Sequence, residues 1–485
     1  TQEPDWHWAR VLVPNGSGQR TLVATNEGGC YVQNGSTVVR YNDFGDQLWS
    51  VDFSDRVQLF RTADGSTAGF ILQYEDSSHA NGMNYYAPPG ISFLTGLFDS
   101  DGSMYEVQNF PAILITETSV TIADTHRGPA GDLLLIGHFQ DSLQVMDTVI
   151  TGISHSGFLV RLAMNGDLHW TMSLMNTSQG DIGGTSAHVK QHATGDIYIN
   201  LGAPYPGSLS DTLFEQGGSA FARFTSEGEL IWNSITEGGS LAGDRVLFDL
   251  RSDGGLYYTR ETAGMSNGVT FVGALGVDGE LIWETPAIDY FYPSNVSVGP
   301  NGVLFSGTRY GPLDLQGCAY VPSSSPRTFM IQFENNDECE WIKNSPDPAN
   351  AFNGYAVEGP QGIYYTTGAA DWSSFLVFGT DTVQFQGGGS QPYIARLGVL
   401  PMSNASQHSH EINPMKVYPN PSKDQLFISV PQNLKGANAS LFDFLGRSAG
   451  SYTLNTSTEQ IDITGLAAGN YILRSHDQYV RVVIE

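Results

Sequence analysis

A short motif that ends in tryptophan recurs along most of the chain and limits the available folds more than any other feature. The copies with a glycine four residues before the tryptophan lie at 45–49, 166–170, 228–232 and 279–283. Two degraded copies lie at 102–106, without the tryptophan, and at 337–341, without the glycine. The copies are about 58 residues apart on average, a period typical of folds in which each unit packs on its neighbours.

Each copy of the motif closes a unit that has the pattern of several β-strands. At 166–170 the motif follows the alternating segment Phe158–Leu162 across Asn165-Gly166, and Asn-Gly tolerates the positive φ of a tight hairpin turn. Further strand signals begin at glycines upstream, at 131, 195, 254, 302 and 362. Between the two, a shorter strand signal starts at Asp147, Asp211 and Asp381. We therefore expect four strands in each unit, the content of a propeller blade.

The two ends of the repeat region complement each other. The final unit, 361–397, has no tryptophan-bearing fourth strand, whereas the chain begins with a lone strand signal at Asp5–Leu12. If this first segment completes the last sheet, the ring closes and no sheet edge is left open. The sequence thus predicts an all-β chain whose residues 1–400 form a seven-bladed β-propeller closed by an N-terminal strand. Six or eight blades are the alternatives, because 110–127 has no regular pattern.

The unit resembles the β-propeller repeat of secreted bacterial proteins, in which a Phe-Val-x-Lys/Arg-Leu strand precedes a Gly-x-Leu-x-Trp strand. Phe158–Leu162 followed by Gly166–Trp170 carries this resemblance best. The unit is also distantly similar to the quinoprotein-type blade, which shares a Gly-x-x-x-Trp ending. The resemblance extends over residues 5–400 and implies a fold but no activity.

The charge balance restricts the partners. Asp and Glu number 50 against 22 Lys and Arg, so the formal net charge is −28, which disfavours binding to nucleic acid or to anionic lipid. Only 15% of residues are charged and there are 56 glycines, a composition typical of an extracellular all-β protein. No apolar run reaches the roughly 20 residues that span a bilayer. Since no signal peptide is visible, we expect the numbering to begin after a removed one.

The cysteines exclude a disulfide-framework fold, since the chain has only three, Cys30, Cys318 and Cys339. Cys318 and Cys339 are close enough in sequence to form a disulfide in an oxidising compartment. Two free thiols are the alternative.

The composition and the residue pattern of the sequence change after residue 400. The segment 401–414 is polar and aperiodic, which indicates a linker. Residues 415–485 contain short alternating strands separated by turn residues, and this pattern predicts a small β-sandwich of immunoglobulin-like type.

This last segment is similar to the type A C-terminal sorting domain of the type IX secretion system. The matching positions are Tyr418, Pro419, Asn420, Pro421, Asp443, Gly446, Arg447, Gly469, Tyr471 and Arg481, the last standing where the family usually has lysine. The resemblance implies export across the outer membrane of a Gram-negative cell, with a shuttle protein, the translocon and a sortase as partners. The protein would then be secreted or displayed on the cell surface.

No motif for catalysis, metal binding or cofactor binding is evident. The Gly-x-Ser-x-Gly elbow, the HExxH pair and the phosphate-binding glycine loop are all missing, and we expect no cofactor and no metal. Asp99–Gly102 starts like a calcium loop, but Phe110 stands where the twelfth-position glutamate belongs, which favours a hairpin turn. His188 and His192 lie in a strand-like segment, too far apart to share a metal. The recurring tryptophans are expected to pack between blades rather than to bind sugar.

Aromatic residues outside the repeat are the better candidates for contact with a ligand. They are Tyr85, Tyr86, Tyr205, Tyr310 and Trp372. We expect a binding or adhesion scaffold whose extracellular ligand is a glycan or a protein. The alternatives are a glycan-active hydrolase or lyase with its site at the propeller mouth and a structural subunit of a surface assembly. Histidines, carboxylates and tyrosines that converge at the mouth would favour the enzyme, and a broad exposed apolar patch would favour the structural subunit.

Overall fold

A computed structural model describes most of the chain. The described residues are 4–12, 21–55, 57–62, 65–80, 82–115, 120–177, 187–203, 207–209, 212–214, 218–237, 246–262, 269–285, 288–289, 291–311, 313–315, 318–320, 326–334, 338–346, 350–371, 375–379, 381–384, 391–398, 416–430, 435–443, 447–475 and 478–484. The chain divides into two compact units, Thr1–Leu400 and Pro401–Glu485. The linker expected at 401–414 lies outside the described residues.

Both units are built from strands, so the all-β prediction is confirmed. Within the described ranges the helical structure is a single 3₁₀ turn at Pro360–Gly362. No described helix has the length and apolar character needed to cross a lipid bilayer.

The described residues of the N-terminal unit form seven groups of four antiparallel strands, which we call quartets 1 to 7. Quartet 1 is β2 (Leu22–Ala24), β3 (Cys30–Asn34), β4 (Thr37–Tyr41) and β5 (Gln47–Asp52). Quartet 2 is β6 (Val57–Arg61), β7 (Ala68–Ala80), β8 (Met83–Phe98) and β9 (Met104–Ile115). Quartet 3 is β10 (Val120–Arg127), β11 (Leu133–Val145), β12 (Thr148–Leu162) and β13 (Leu168–Thr177).

The remaining quartets follow the same order along the chain. Quartet 4 is β14 (Ala187–Gln191), β15 (Ile197–Ala203), β18 (Gly218–Phe224) and β19 (Leu230–Glu237). Quartet 5 is β20 (Val246–Leu250), β21 (Leu256–Thr262), β22 (Val269–Leu275) and β23 (Leu281–Glu284). Quartet 6 is β25 (Phe291–Gly299), β26 (Gly302–Arg309), β29 (Arg327–Phe333) and β30 (Cys339–Asn344). Quartet 7 is β31 (Asn350–Glu358), β32 (Ile363–Asp371), β35 (Gln391–Gly398) and β1 (Asp5–Val11).

Additional short strands decorate the quartets. They are β16 (Gly207–Leu209), β17 (Thr212–Phe214), β24 (Ile288–Asp289), β27 (Leu313–Leu315), β28 (Cys318–Tyr320), β33 (Phe375–Phe378) and β34 (Asp381–Gln384). Quartets 2 and 3 share one ten-stranded sheet, because β11 also pairs with β9 and the hairpin β16–β17 adds to β13.

The composition of a quartet corrects the sequence-based assignment of strands. The first strand, such as β14 or β20, precedes the glycine at which we placed the start of the unit. The segments that begin at Asp211 and Asp381 contain β17 and β34, which belong to hairpins between the second and third strands. The aperiodic stretch 110–127 contains the end of β9 and all of β10. These first strands are short and half of their residues are polar, so hydrophobic periodicity alone indicates them only weakly.

The N-terminal strand β1 lies beside the last strand of the repeat region. It pairs antiparallel with β35, from Asp5 opposite Gly398 to Val11 opposite Tyr393. The expectation that the first segment completes the final sheet therefore agrees with the strand pairing.

The tryptophans of the fourth strands join neighbouring quartets. The indole N–H of Trp49 donates to the Ser100 carbonyl at 2.9 Å, and that of Trp232 to the Val277 carbonyl at 2.7 Å, in each case in the third-to-fourth-strand turn of the next quartet. The ring lies against the glycine of that turn, where an added Cβ would come within 2.8 Å of Trp49 at Gly102. Glycine is thus required at position 102 for two reasons: the turn needs its positive φ of 88°, and the tryptophan ring leaves no room for a Cβ. These tryptophans therefore pack between units, as expected.

Trp8 in β1 makes the same contact at the join between quartets 7 and 1. Its indole N–H donates to the Asp43 carbonyl at 2.8 Å, and its ring lies against Gly45. Buried apolar side chains fill the space between other neighbours in the same way, such as Ile136 of quartet 3 with Val189 of quartet 4.

Of the alternatives open for the cysteines, the structure has the disulfide. The Cys318 and Cys339 sulfurs are 2.12 Å apart and tie the hairpin β27–β28 to β30. Cys30 is a buried free thiol, and burial raises its pKa, so it stays protonated.

Glu358 at the end of β31 is only 3% exposed, and its Oε2 has no hydrogen-bond partner among the described atoms. Burial raises the pKa of Glu358 to about 7, against the lowering effect of the hydrogen bonds from Asn301. The nearest charges that act on it are those of Glu340 and Arg61. Because the folded pKa exceeds the unfolded value of 4.5, the folded state binds the extra proton and its stability falls as pH rises through about 7.

Replacing Glu358 with glutamine should therefore flatten the pH dependence of stability. We expect the wild type to lose about 3 kcal/mol of unfolding free energy between pH 4.5 and pH 8, and E358Q to lose much less. Urea denaturation at both pH values measures this, with the exposed Glu338 as the site of the control variant E338Q. An equal loss in E358Q and wild type would contradict it.

The C-terminal unit has two sheets. The first contains β36 (Lys416–Tyr418), β37 (Gln425–Ser429) and β40 (Thr458–Asp462). The second contains β39 (Ser448–Thr453), β38 (Asn438–Asp443), β41 (Gly469–Ser475) and β42 (Gln478–Ile484). Both sheets contribute to one buried apolar cluster, for example Ile428 and Ile461 from the first and Leu441 and Leu473 from the second.

Candidate functional site

Polar side chains from the first strands of five quartets form a group, which we call the first-strand cluster. Its members are Gln58, Asp124, His126, His188, Lys190, Asp249 and Tyr355. First strands alternate apolar and polar residues, so their apolar side chains enter the core while the polar ones share another face. In β14 this alternation places Ala187 and Val189 in the core and leaves His188 and Lys190 half-buried.

Asp124 links three quartets. Its Oδ1 accepts a hydrogen bond from the Gln58 amide at 3.1 Å, and its Oδ2 accepts one from the Val189 N–H at 3.1 Å. The Nδ1 of His188 lies 3.4 Å from the same Oδ2. Burial acts to raise the pKa of Asp124, but these hydrogen bonds and the charge of His188 outweigh it and lower the pKa.

Asp249 links quartets 4, 5 and 6 in the same way. The Lys190 ammonium donates to its Oδ1 at 2.6 Å, and the Val298 N–H donates to its Oδ2 at 2.7 Å. Both carboxylates of the cluster are therefore occupied by donors of the protein itself.

His126 and Tyr355 are the cluster members whose side chains make no hydrogen bond to the described part of the chain. Burial and then the charge of Lys190 lower the pKa of His126 to about 4, so its imidazole is neutral at pH 7. Burial, Asp249 and Asp124 raise the pKa of Tyr355, so its hydroxyl keeps the proton. Both side chains are half-buried, and their polar atoms can exchange hydrogen bonds with a bound molecule.

The histidines and the turn that were considered as metal ligands have separate partners in the structure. Within the described ranges, no three His, Cys, Asp or Glu side chains are grouped so that they could hold a metal ion. His192 hydrogen-bonds Thr194 at 3.0 Å, whereas His188 faces Asp124, so the two histidines have separate partners. The segment Asp99–Gly102 is a turn, closed by the Gly102 N–H to the Asp99 carbonyl at 3.1 Å.

The described aromatic residues that are expected to contact a ligand lie near the hairpin that joins the second and third strands: Tyr85 and Tyr86 are at the start of β8, and Tyr310 follows β26. Tyr86 is 73% exposed near the tip of β7–β8, whereas Tyr85 is half-buried against the apolar core. Tyr310 is 39% exposed and meets Tyr292 edge-on, with ring centroids 5.7 Å apart. Tyr205 and Trp372 lie outside the described residues.

The sorting-motif residues hold the C-terminal unit together at its start and near its end. Tyr418 stacks on Phe427 at 5.9 Å, and the Asn420 Oδ1 accepts a hydrogen bond from the Val483 N–H at 2.8 Å. The Tyr471 hydroxyl donates to the Ala467 carbonyl at 2.8 Å.

The other motif residues of this unit are placed less completely. Gly469 begins β41, Arg447 is exposed, and Pro419 and Pro421 follow cis peptide bonds. Gly446 and the side chains of Asp443 and Arg481 lie outside the described residues.

Comparison with known proteins identifies the C-terminal segment. Residues 416–484 match the family of secretion system C-terminal sorting domains. No curated protein matches the chain. The tail marks the protein for the type IX secretion system, and hence for secretion or for the bacterial cell surface.

Several solved structures are similar to the chain at low identity. The polysaccharide lyase Uly1 is 11% identical, with 82% of this chain and 93% of that chain covered and a TM-score of 0.41. PorZ, a surface component of the type IX secretion system of Porphyromonas gingivalis, is 11% identical, with 96% and 81% covered and a TM-score of 0.21. The rhamnogalacturonan lyase YesW is 10% identical, with 96% and 90% covered and a TM-score of 0.29.

Proposed function

We propose that the N-terminal unit is a seven-bladed β-propeller in which each quartet is a blade and the first strands surround the axis. Contacts between first strands support a closed ring, since β2 contacts both β6 and β31, while β14 contacts β10 and β20. Hydrogen bonds follow the same path, from the Leu59 N–H to the Thr21 hydroxyl and from the Asn295 amide to the Ala356 carbonyl. Trp8 makes, between quartets 7 and 1, the contact that the fourth-strand tryptophans make between other quartets.

The C-terminal domain, 415–485, is in this proposal an immunoglobulin-like sandwich that a shuttle protein, the translocon and a sortase recognise. In the described part of the unit, β36 and β40 are the edge strands of the first sheet and β39 and β42 those of the second, and Asn420 and Ser422 hydrogen-bond the outer side of β42. Such an edge offers backbone donors and acceptors to a partner that adds a strand.

The cargo that this tail delivers is an extracellular binding protein, whose ligand lies over the first-strand cluster and is contacted by the aromatic residues between second and third strands. One observation carries this proposal: within the described part of the chain, His126 and Tyr355 are neutral and their side chains make no hydrogen bond, while both carboxylates beside them are already hydrogen-bonded. A neutral imidazole and a hydroxyl suit recognition of polar groups. With a pKa of about 4, His126 is a weak general base at pH 7.

The alternative, a glycan-active hydrolase or lyase, is favoured by the same convergence. Histidine, lysine, tyrosine and carboxylates lie together here, although they come from positions between 124 and 355 of the chain. The two functions differ in whether the bound molecule is converted.

We expect the full chain to bind a component of an array of polysaccharide fragments and extracellular proteins, and Tyr355→Phe to weaken that binding about threefold to tenfold by removing one hydrogen bond. His126→Ala should act in the same direction. The matched control is Tyr452→Phe, which removes a hydroxyl in the C-terminal unit. Unchanged binding in both test variants would refute the site. Product formation that His126→Ala abolishes would establish the enzyme instead.

A further inference from the structure

A pocket of about 380 Å³ lies within the N-terminal unit where its first strand meets quartets 7 and 1. Its lining residues are His7, Trp8 and Arg10 of β1, Asp43 and Phe44 of the β4–β5 turn, Asp381 of β34 and Arg396 of β35. Its volume is near the lower end of the range of about 300–1,000 Å³ for small-molecule sites. None of its residues belongs to the first-strand cluster.

Phe44 departs from the repeat at this place. The residue before the turn glycine is polar in quartets 2 to 5, namely Asp101, Asn165, Glu227 and Asp278. At Asp101 and Asp278 the side chain accepts a backbone N–H and stabilises the turn. Phe44 contributes no such bond, and its ring is 77% exposed. The turn needs no aromatic residue, so the fold does not explain this one.

Two charged residues of the same pocket, Asp43 and Arg10, lie at positions that vary between quartets. Asp43 stands where quartets 2 to 5 have Ser100, Met164, Ser226 and Val277. It accepts two hydrogen bonds from Arg396, at 2.8 and 3.1 Å, and one from the Tyr365 hydroxyl at 2.6 Å.

Arg10 lies two residues after its tryptophan, where the other quartets have the varied set Val51, Met172, Ser234, Thr285 and Lys343. It donates to Asp381 at 2.8 Å. The departure of Phe44 from the repeat therefore coincides with a pocket that two ion pairs line.

The chemistry of the pocket defines what it can hold. Each arginine is paired with an aspartate, so the four charges balance and neither an anion nor a cation is favoured. Burial and the charge of Arg396 lower the pKa of His7, whose neutral ring leaves Nε2 without a hydrogen-bond partner in the described part of the chain. The planar guanidinium and carboxylate groups on the pocket wall can hydrogen-bond hydroxyls, and the exposed ring of Phe44 can pack on an apolar face. The pocket therefore suits a molecule that is rich in hydroxyls and has one apolar face.

We propose that this pocket binds a neutral saccharide, with the apolar face of a sugar ring on Phe44 and its hydroxyls on Asp381 and Arg10. The site is separate from the first-strand cluster and does not depend on its function.

Isothermal titration calorimetry of the full chain with maltotetraose, xylotetraose and mannotetraose tests the proposal. A tetrauronate serves as the acidic probe for comparison. At least one neutral probe is expected to bind, and Phe44→Asp should weaken it at least about tenfold, because the stacking surface is lost. Since other turns carry an acid at this position, F44D should keep the melting temperature of the wild type. The control Leu281→Asp makes the same charge change at another exposed apolar side chain and should leave the affinity unchanged.

Three results would overturn the proposal. One is the failure of every neutral probe to bind, and another is tighter binding of the tetrauronate. The third is a neutral probe whose affinity falls in Tyr355→Phe but not in Phe44→Asp, since that places the sugar on the first-strand cluster.

Discussion

Deletion of residues 1–13 is expected to lower the melting temperature of the N-terminal unit by more than about 10 °C, or to prevent its folding. The deletion removes β1, whose ladder with β35 spans Asp5 to Val11, and exposes the edge of a buried strand. It also removes Trp8, which is buried between quartets 7 and 1. Loss of a buried tryptophan alone costs about 3–5 kcal/mol. Differential scanning calorimetry of the deletion variant measures the effect.

A point variant keeps this prediction testable if the deletion variant does not fold. Trp8→Ala retains the strand but removes the indole hydrogen bond to Asp43 and the contact with Gly45. Trp232→Ala is the matched control, because it removes the equivalent contact between quartets 4 and 5. Similar destabilisation by the two variants, and recovery of the deletion variant on adding a synthetic 1–13 peptide, are expected. A melting temperature unchanged by the deletion would show that β1 does not close the ring.

Deletion of residues 415–485 should abolish delivery of the protein to the cell surface and the medium. This segment contains the whole stretch that matches the sorting-domain family, 416–484. Immunoblots of cell, membrane and medium fractions are expected to find the truncated chain retained inside the cell. Because the N-terminal unit is compact by itself, its melting temperature should be unchanged, which separates an export defect from misfolding.

A reciprocal fusion protein strengthens the export test. A periplasmic reporter fused to residues 401–485 should reach the surface or the medium, whereas a fusion that ends at residue 414 should not. Export of the chain without its tail, or failure of the tail to export the reporter, would count against the assignment of 415–485 as the signal.

The hairpins of the quartets could be predicted from sequence because their signals are local. Asn165-Gly166 and Asp278-Gly279 are turns, with glycine φ values of 91° and 82°. The tryptophan contacts could be predicted as well, since the motif places a tryptophan on the fourth strand of every quartet except quartet 2. The short first strands could not, because five residues such as Ala187–Gln191 contain too few alternations to stand out.

The candidate sites depend on proximity that the sequence does not show. Asp124 and Val189 are 65 residues apart and Asp43 and Arg396 are 353 apart, yet both pairs share hydrogen bonds. Single aspartates and histidines scattered through an acidic chain give no signal before the strands are arranged. The pocket beside Phe44 could have been suspected by aligning the repeats, since the departure at that turn is visible in the sequence itself.

The pairing of β1 with β35 also sets the order of events during biosynthesis. β1 finds its partner only after β35 has been made, and contacts between such distant segments slow folding. Until then, β1 stays without its neighbour. Quartet 7 can therefore be completed only after the strands of quartets 1 to 6 have been synthesised.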